Sequence, residues 1–314
     1  MGKILVSASH FDVLCKEMWE YLEEHGHQVL YDSKRSFPAY SYEELKEILP
    51  KVDGALIGLD QYDKKVFEIP SPLKVVAKFG VGIDNIDIEA AKAHKVQVVN
   101  TPGMNANAVA ELTVGFILDL LRKIPMLDEE MKRGVWNRYM GRELAGKTVG
   151  LVGFGAIARL TAKKLRAFEA NVQAYDVYPN EKEAEKLNVE LVSFEQILKS
   201  SDIISLHIPA TTENRFLFSS KIFKEMKRGA LLINTARGAL VNLEDLVEAI
   251  NEGYLGGAAL DAFEEEPLPA NSPVFRCPNL ILTPHTGGET EEAYRRVSMM
   301  ACQKICDVLA KGVM

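Results

Sequence analysis

Cysteine is scarce in this 314-residue chain, which has only Cys15, Cys277, Cys302 and Cys306. They form no Cys-x-x-Cys pair and have no histidine at ligand spacing, so no zinc or other metal site is expected and the thiols should be reduced. Basic clusters are also missing, and the formal charge of −7 disfavours nucleic acid or an anionic membrane surface as partner. No uncharged apolar stretch approaches the roughly 20 residues of a membrane helix. The opening Met1-Gly2-Lys3-Ile4-Leu5-Val6 runs into a strand-like segment without the apolar core of a signal peptide, so a cytoplasmic location is expected. Long polar or repetitive tracts are absent too, and with 47% hydrophobic and 26% charged residues the chain reads as folded throughout. Its length is about twice the ~150 residues of one domain, which predicts two. A small molecule is left as the expected partner.

Short apolar, β-branched runs alternate with amphipathic helical patterns, which predicts an α/β fold of parallel sheets covered by helices. A first series places strands at 3–8, 28–31, 54–58, 74–79 and 96–99, with helices at 13–24, 42–49 and 88–94 between them. A second series places strands at 148–152, 171–175, 203–207, 230–234, 256–259 and 280–282, and needs a sheet of its own. Asn100-Thr101-Pro102-Gly103 ends the first series, and an apolar helix over 105–121 leads into the second. A last helix, 289–311, has no strand after it and is expected to return to the first domain. The expected division is therefore 1–103 with 289–314, and 104–288. The pattern predicts two doubly wound domains, one Rossmann-type and one flavodoxin-like, with ligands bound in a cleft at the carboxyl ends of the strands.

The second series opens with Thr148-Val149-Gly150-Leu151-Val152, then Gly153-Phe154-Gly155-Ala156-Ile157-Ala158, then a helical pattern over 159–168. Strand, glycine turn and helix in this order suit a dinucleotide. Gly153 permits the tight turn, Gly155 lets backbone N–H groups approach a pyrophosphate, and Ala158 takes the close-packing position. The next strand delivers Asp176, near the ~20-residue offset expected for an acid that holds the ribose hydroxyls. Its charge should repel a 2′-phosphate, and Val177-Tyr178-Pro179 offers no arginine to attract one, so NAD is expected rather than NADP. An S-adenosylmethionine site can share this turn and acid, and the polar residues further along decide between them.

Three later strands end in polar residues: Asn234-Thr235-Ala236-Arg237-Gly238, Asp261-Ala262-Phe263-Glu264-Glu265-Glu266-Pro267 and Thr283-Pro284-His285-Thr286-Gly287-Gly288. Taken singly, each has an ordinary structural use. Histidine can satisfy a loop carbonyl, arginine can end a helix, and an acidic run can simply be solvated. Together they are the residue types that hydride chemistry on a 2-hydroxy acid requires. Arg237 is the cation for a carboxylate, His285 the base for the hydroxyl proton, and Glu266 the acid that orients the base.

The sequence resembles the D-isomer-specific 2-hydroxyacid dehydrogenase family over almost its whole length. The likeness rests on Phe79-Gly80-Val81-Gly82-Ile83-Asp84-Asn85-Ile86-Asp87, on Asn100-Thr101-Pro102-Gly103 with Ala108-Val109-Ala110-Glu111-Leu112, and on the Arg237, Glu266 and His285 segments. Within the family it is most similar to enzymes of D-3-phosphoglycerate that lack regulatory domains. The resemblance implies a catalytic triad of Arg237, Glu266 and His285, and a substrate-carboxylate loop at Val81 and Gly82, with Arg237 and His285 also meeting the substrate. It implies that NAD is lined by Gly153, Gly155, Ala156, Ile157, Asp176, Ile208, Pro209, Thr235, Ala236, Arg237, Asp261, His285, Gly287 and Gly288. It further implies a hinge near Asn105 and a homodimer clasped through the stretch around Trp136 and Met140. Glyoxylate or hydroxypyruvate reduction is the neighbouring activity, and a dinucleotide-sensing corepressor is the alternative of another kind.

Two departures stand out. Gly155-Ala156-Ile157-Ala158 replaces the family's usual Gly-Arg-Ile-Gly, which removes an arginine from the pyrophosphate. The loop Gly58-Leu59-Asp60-Gln61-Tyr62 lacks the arginine that many phosphoglycerate enzymes carry there. The assignment of Asp176 predicts tighter binding of NAD than of NADP. Asp176→Ala should weaken NAD by about 1.5–3 kcal/mol, the worth of hydrogen bonds to a charged group, and so narrow the gap. Titration of both cofactors against wild type and variant checks this, and equal wild-type affinities would remove the assignment.

Overall fold

The computed structural model describes residues 2–34 and 39–311. Among the described residues, twelve strands form two sheets in which every pairing is parallel. The first sheet comprises β1 (Lys3–Val6), β2 (Gln28–Leu30), β3 (Gly54–Ile57), β4 (Val75–Lys78) and β5 (Gln97–Val99), in the order β2-β1-β3-β4-β5. The second comprises β6 (Thr148–Val152), β7 (Asn171–Tyr175), β8 (Glu190–Leu191), β9 (Ile203–Leu206), β10 (Ala230–Asn234), β11 (Leu255–Leu260) and β12 (Leu280–Leu282), in the order β12-β11-β10-β9-β6-β7-β8. Both orders are doubly wound: the chain starts in the middle of the sheet, works outward to one edge and then crosses to fill the other. Among the described residues, no helix is long and apolar enough to cross a membrane.

The chain divides into two compact units, Met1–Asn105 with Gly288–Met314, and Ala106–Gly287. In the first unit, one face of the sheet is covered by the helix Glu291–Lys311, whose Ala301, Cys302, Ile305 and Leu309 share a core with Ile4, Val6, Leu56, Val75 and Ala77. Leu5, Ala55, Ile57 and Val76 point into a second core on the opposite face, as the period of two dictates. In the second unit, Val149 and Leu151 of β6 face one core and Val152 the other. The helix Ala106–Arg122 buries Val114, Ile117 and Leu121 in the first of these, beside Ala158, Ala162 and Leu165 of the helix Ala156–Ala167. The two alanines leave room for the helices to approach closely.

Three local readings change. The helix expected over 13–24 is two helices, Phe11–Leu14 and Lys16–Glu24, broken at Cys15, whose backbone at φ −121° lets its side chain join Phe11 in the core. The helix after the glycine turn starts at Ala156 rather than 159, because Gly155 already serves as its N-cap. β8 has two residues at a sheet edge, too few to show a period.

Ile117 is fully buried among Leu151, Leu165 and Ile233. Ile117→Ala should therefore destabilise this unit by roughly 2–5 kcal/mol, from lost transfer energy and the cavity left behind. Denaturant unfolding measures it, and an unchanged midpoint would contradict the packing.

Candidate active site

The nucleotide turn is built from steric need. Gly153 has φ 98°, and a Cβ there would fall 2.5 Å from the carbonyl oxygen of His207, so only glycine fits. Two strand-end hydrogen bonds hold the turn down, Gly153 N to Tyr175 O at 2.7 Å and His207 N to Val152 O at 2.7 Å. Gly155 and Ala156 are exposed and Ile157 half-buried, and Gly155 has no side-chain cap to offer the first helical turn. That turn's amides therefore point outward from the positive end of a 12-residue helix, which suits an anion. Asp176 closes the turn from β7, its two carboxylate oxygens accepting Phe154 N at 2.6 Å and Tyr178 N at 2.8 Å. A carboxylate has four lone-pair sites, so ribose hydroxyls can still donate to it. These features fit a dinucleotide with unphosphorylated ribose.

His207, which the sequence did not single out, stands beside this turn with Ile208 and Pro209. Its Nε2 lies 2.9 Å from the Ser205 hydroxyl. The residue keeps some exposed surface, but desolvation of the ring lowers its pKa to about 4. It is neutral at physiological pH and adds no charge near the turn.

Three adjacent strand ends in the same sheet carry the remaining candidates. At the end of β10 the buried Asn234 shapes its own loop, donating from Nδ2 to Arg237 O at 2.8 Å and accepting Ala236 N at 3.0 Å. Thr235 lies 3.0 Å from the hydroxyl of Thr113, and Arg237 Nη1 donates to Ala236 O at 2.7 Å. A Cβ on Gly238 would sit 1.9 Å from the carbonyl carbon of Phe263 and 2.2 Å from Glu264 N. The loop after β10 therefore touches the loop after β11 backbone to backbone, which brings Arg237 close to Glu266.

Asp261, at the end of β11, is 2% exposed, and its oxygens accept Thr283 Oγ1 at 2.5 Å, Thr286 N at 2.8 Å, Thr286 Oγ1 at 3.2 Å and Gly287 N at 2.7 Å. It ties down the residues on both sides of His285. His285 itself has φ 56°, in the left-handed region that non-glycine residues rarely occupy. Its Nδ1 lies 2.8 Å and 3.1 Å from the two oxygens of Glu266, one of which also accepts Phe263 N at 2.8 Å. A carboxylate only accepts, so Nδ1 carries the proton and Nε2 is left to exchange one. Burial raises the Glu266 pKa. The His285 hydrogen bond, the Phe263 amide and the charges of His285 and Arg237 outweigh that and hold it below the ordinary carboxylate value.

The second unit thus brings together Arg237, Glu266, His285, Asp261, Thr235, Ala236 and Gly287 along one sheet edge with the nucleotide turn. Val81, Gly82 and Gly288 belong to the first unit. There, Asn100 Nδ2 donates to Val81 O at 2.8 Å, and Gly80 at φ 142° is held by Thr101. Asp60, in the loop that lacks an arginine, is buried; it accepts the Ser7 hydroxyl and the Tyr40 amide, and burial pushes its carboxyl up. Gly288 packs against the Asn105 side chain. Among the described residues, no group of His, Cys, Asp and Glu could hold a metal ion.

Comparison with known proteins agrees with this geometry. Residues 114–287 match the D-isomer specific 2-hydroxyacid dehydrogenase, NAD binding domain. The chain is 37% identical over 314 residues to a D-3-phosphoglycerate dehydrogenase of Archaeoglobus fulgidus, covering 99% of this chain but 58% of that relative's length. It is 39% identical over 293 residues to a glyoxylate reductase of Thermofilum pendens, covering 91% of this chain and 86% of the relative. Among solved structures it is similar to the TT0316 protein of Thermus thermophilus, at TM-score 0.88 and 34% identity over 98% of this chain and 97% of that one. The apo-structure of D-lactate dehydrogenase from Escherichia coli matches at TM-score 0.86 and 28% identity, over 99% and 98%. With its nucleotide turn, its Glu266–His285 pair and this likeness over nearly its full length, the chain belongs to the D-isomer specific 2-hydroxyacid dehydrogenase family.

Proposed function

We propose that the protein is an NAD-dependent D-2-hydroxyacid dehydrogenase, and that D-3-phosphoglycerate is its first candidate substrate. The observation that carries this reading is the Glu266–His285 pair, set beside Arg237 on the sheet edge that also holds the nucleotide turn. Bound at Gly153, Gly155 and Asp176, NAD would accept the hydride from C2 of the hydroxy acid, or return it to the keto acid. Arg237 grips the substrate carboxylate and polarises the oxygen on C2. His285 Nε2 takes the hydroxyl proton in oxidation and gives it back in reduction, a contribution typically worth 10²–10⁴-fold. Glu266 keeps the proton on Nδ1 and stabilises the imidazolium. Val81 and Gly82, in the first unit, stay candidates for substrate contact on the family resemblance. Asp261 acts as a positioning group, since its oxygens are occupied by the His285 loop.

Glyoxylate or hydroxypyruvate reduction is the second reading. It is favoured by Asp60 standing, buried, in the loop where a phosphate-binding arginine would be. Arg138 and Arg142, both exposed, are the candidates for phosphate contact. A homodimer is proposed on the exposed apolar stretch that includes Trp136 at 79% and Met140 at 91%.

Two outcomes are expected. In a screen of 2-keto acids with NADH, phosphohydroxypyruvate should give a higher kcat/KM than hydroxypyruvate or glyoxylate, and Arg138→Ala should erode that advantage. A preference above about tenfold for an unphosphorylated acid, roughly 1.4 kcal/mol, would rule out phosphoglycerate and leave the general dehydrogenase. Glu266→Gln should lower kcat at least about tenfold while NADH binding, read by fluorescence, stays near wild type. Because Glu266 is held below its ordinary value, its pairing with His285 is complete above about pH 4.5 and is lost only as pH falls through the depressed value. In the reduction direction, where His285 must carry the proton, the acid limb of the wild-type profile should therefore lie below that point, and turnover independent of Glu266 would refute its role.

A further inference from the structure

The proposed reaction leaves one loop without a task, and that loop touches both catalytic segments. After β9 the chain runs through Thr211 and Asn214 to Phe218. Phe216 N donates to Ala239 O at 2.7 Å and Phe218 N to Leu240 O at 2.9 Å, while Phe218 bridges Val241. The loop's backbone is thus stitched to the residues that directly follow Arg237 and Gly238. Its side chain Arg215 reaches the other way: Nε donates to Glu264 Oε1 at 2.8 Å, and Nη2 lies 2.6 Å from the same oxygen. The guanidinium also stacks on the neighbouring Phe216 ring, 4.0 Å from its centroid, and Phe216 holds a left-handed φ of 55°. Glu264 is the residue whose amide packs on Gly238, two positions before Glu266.

We propose that Arg215 is a positioning residue, which clamps the Glu266 segment onto the Arg237 segment and cancels the charge of Glu264 next to the catalytic carboxylate. The proposal rests on the reading of Glu266 as the partner of His285. An exposed ion pair adds little to global stability, and both partners here are about half exposed. Its value is local. Glu264, Glu265 and Glu266 are consecutive carboxylates, and like charges disfavour one another's ionisation. Glu266 is acted on by His285 from the loop after β12, by Arg237 from the loop after β10 and by the amide of Phe263, while Glu264 and Glu265 adjoin it on its own segment. Arg215 offsets Glu264 on that segment, so Glu266 can stay charged and aligned with Nδ1 of His285.

The test uses Arg215→Gln, Arg215→Lys and Glu264→Gln in the full chain, each first checked for a wild-type melting profile. Titration of the Glu266 carboxylate is followed by carbon NMR, its resonance assigned by its loss in Glu266→Gln. Arg215→Gln leaves Glu264 uncompensated and should raise the Glu266 titration by about 0.2–0.5 pH unit, the scale of a screened surface charge. Glu264→Gln should lower it, because Arg215 is then left without its acid, and Arg215→Lys should stay near wild type. In 2-keto acid reduction, Arg215→Gln should lose kcat roughly three- to tenfold through misalignment, with the KM for NADH unchanged and the acid limb moved upward with Glu266. Arg215→Lys should recover part of that loss. An unmoved titration in Arg215→Gln, shifts of the same sign in Arg215→Gln and Glu264→Gln, or an unchanged kcat would each overturn the proposal. If the wild type oxidises NADH with no 2-keto acid, the reading of the reaction fails instead, and the titration still decides the clamp.

Discussion

Parallel pairing is the constraint from which the remaining architecture follows. Each strand of both sheets must be followed by a return segment that crosses to the amino end of the next, so all carboxyl ends finish on one edge. Loops at that edge are not occupied in returning the chain and are left to carry polar chemistry. In the second unit, β6, β9, β10, β11 and β12 all end there. Gly153, His207, Arg237, Glu266 and His285, more than 130 positions apart at the extremes, thus share one rim.

Holding such a rim in one conformation requires buried polar groups that are fully satisfied. Asn234 uses both ends of its amide to shape the loop that displays Arg237. Asp261 spends its carboxylate on the loop that displays His285, which keeps the imidazole at a backbone angle it would not choose alone. Gly238 contributes by having no side chain, since any Cβ would meet the Phe263–Glu264 backbone. None of these three contacts would need to touch a substrate, yet together they decide whether Arg237 and His285 meet Glu266.

Electrostatics at the rim follows the same logic. Partial burial alone would favour the neutral form of Glu266, but a histidine, an amide and an arginine on adjacent loops reverse the balance. Beside the nucleotide turn the environment works the other way on His207, where desolvation keeps the ring neutral. Both groups of this sheet edge are thus shifted downward, the carboxylate by its partners and the imidazole by desolvation, so that the first stays charged and the second uncharged.

The sequence alone determined the α/β class, the two strand series and most strand positions, because a period of two and a strand–turn–helix alternation are local properties. It also made Gly153, Asp176, Arg237, Glu266 and His285 legible as candidates, since each stands on a segment that follows an apolar strand. It could not show the two-residue β8 or the break at Cys15: the first is too short to have a period, and the second follows from what Cys15 packs against. Nor could it reveal that Asp261 serves the His285 loop, that Asn234 builds the Arg237 loop, or that Arg215 pairs with Glu264 across 49 positions. Those facts depend on which strand ends become neighbours. Sheet order brings residues far apart in the chain to hydrogen-bond distance, and a hydrogen bond leaves no mark in sequence spacing until the tertiary structure has chosen the partner.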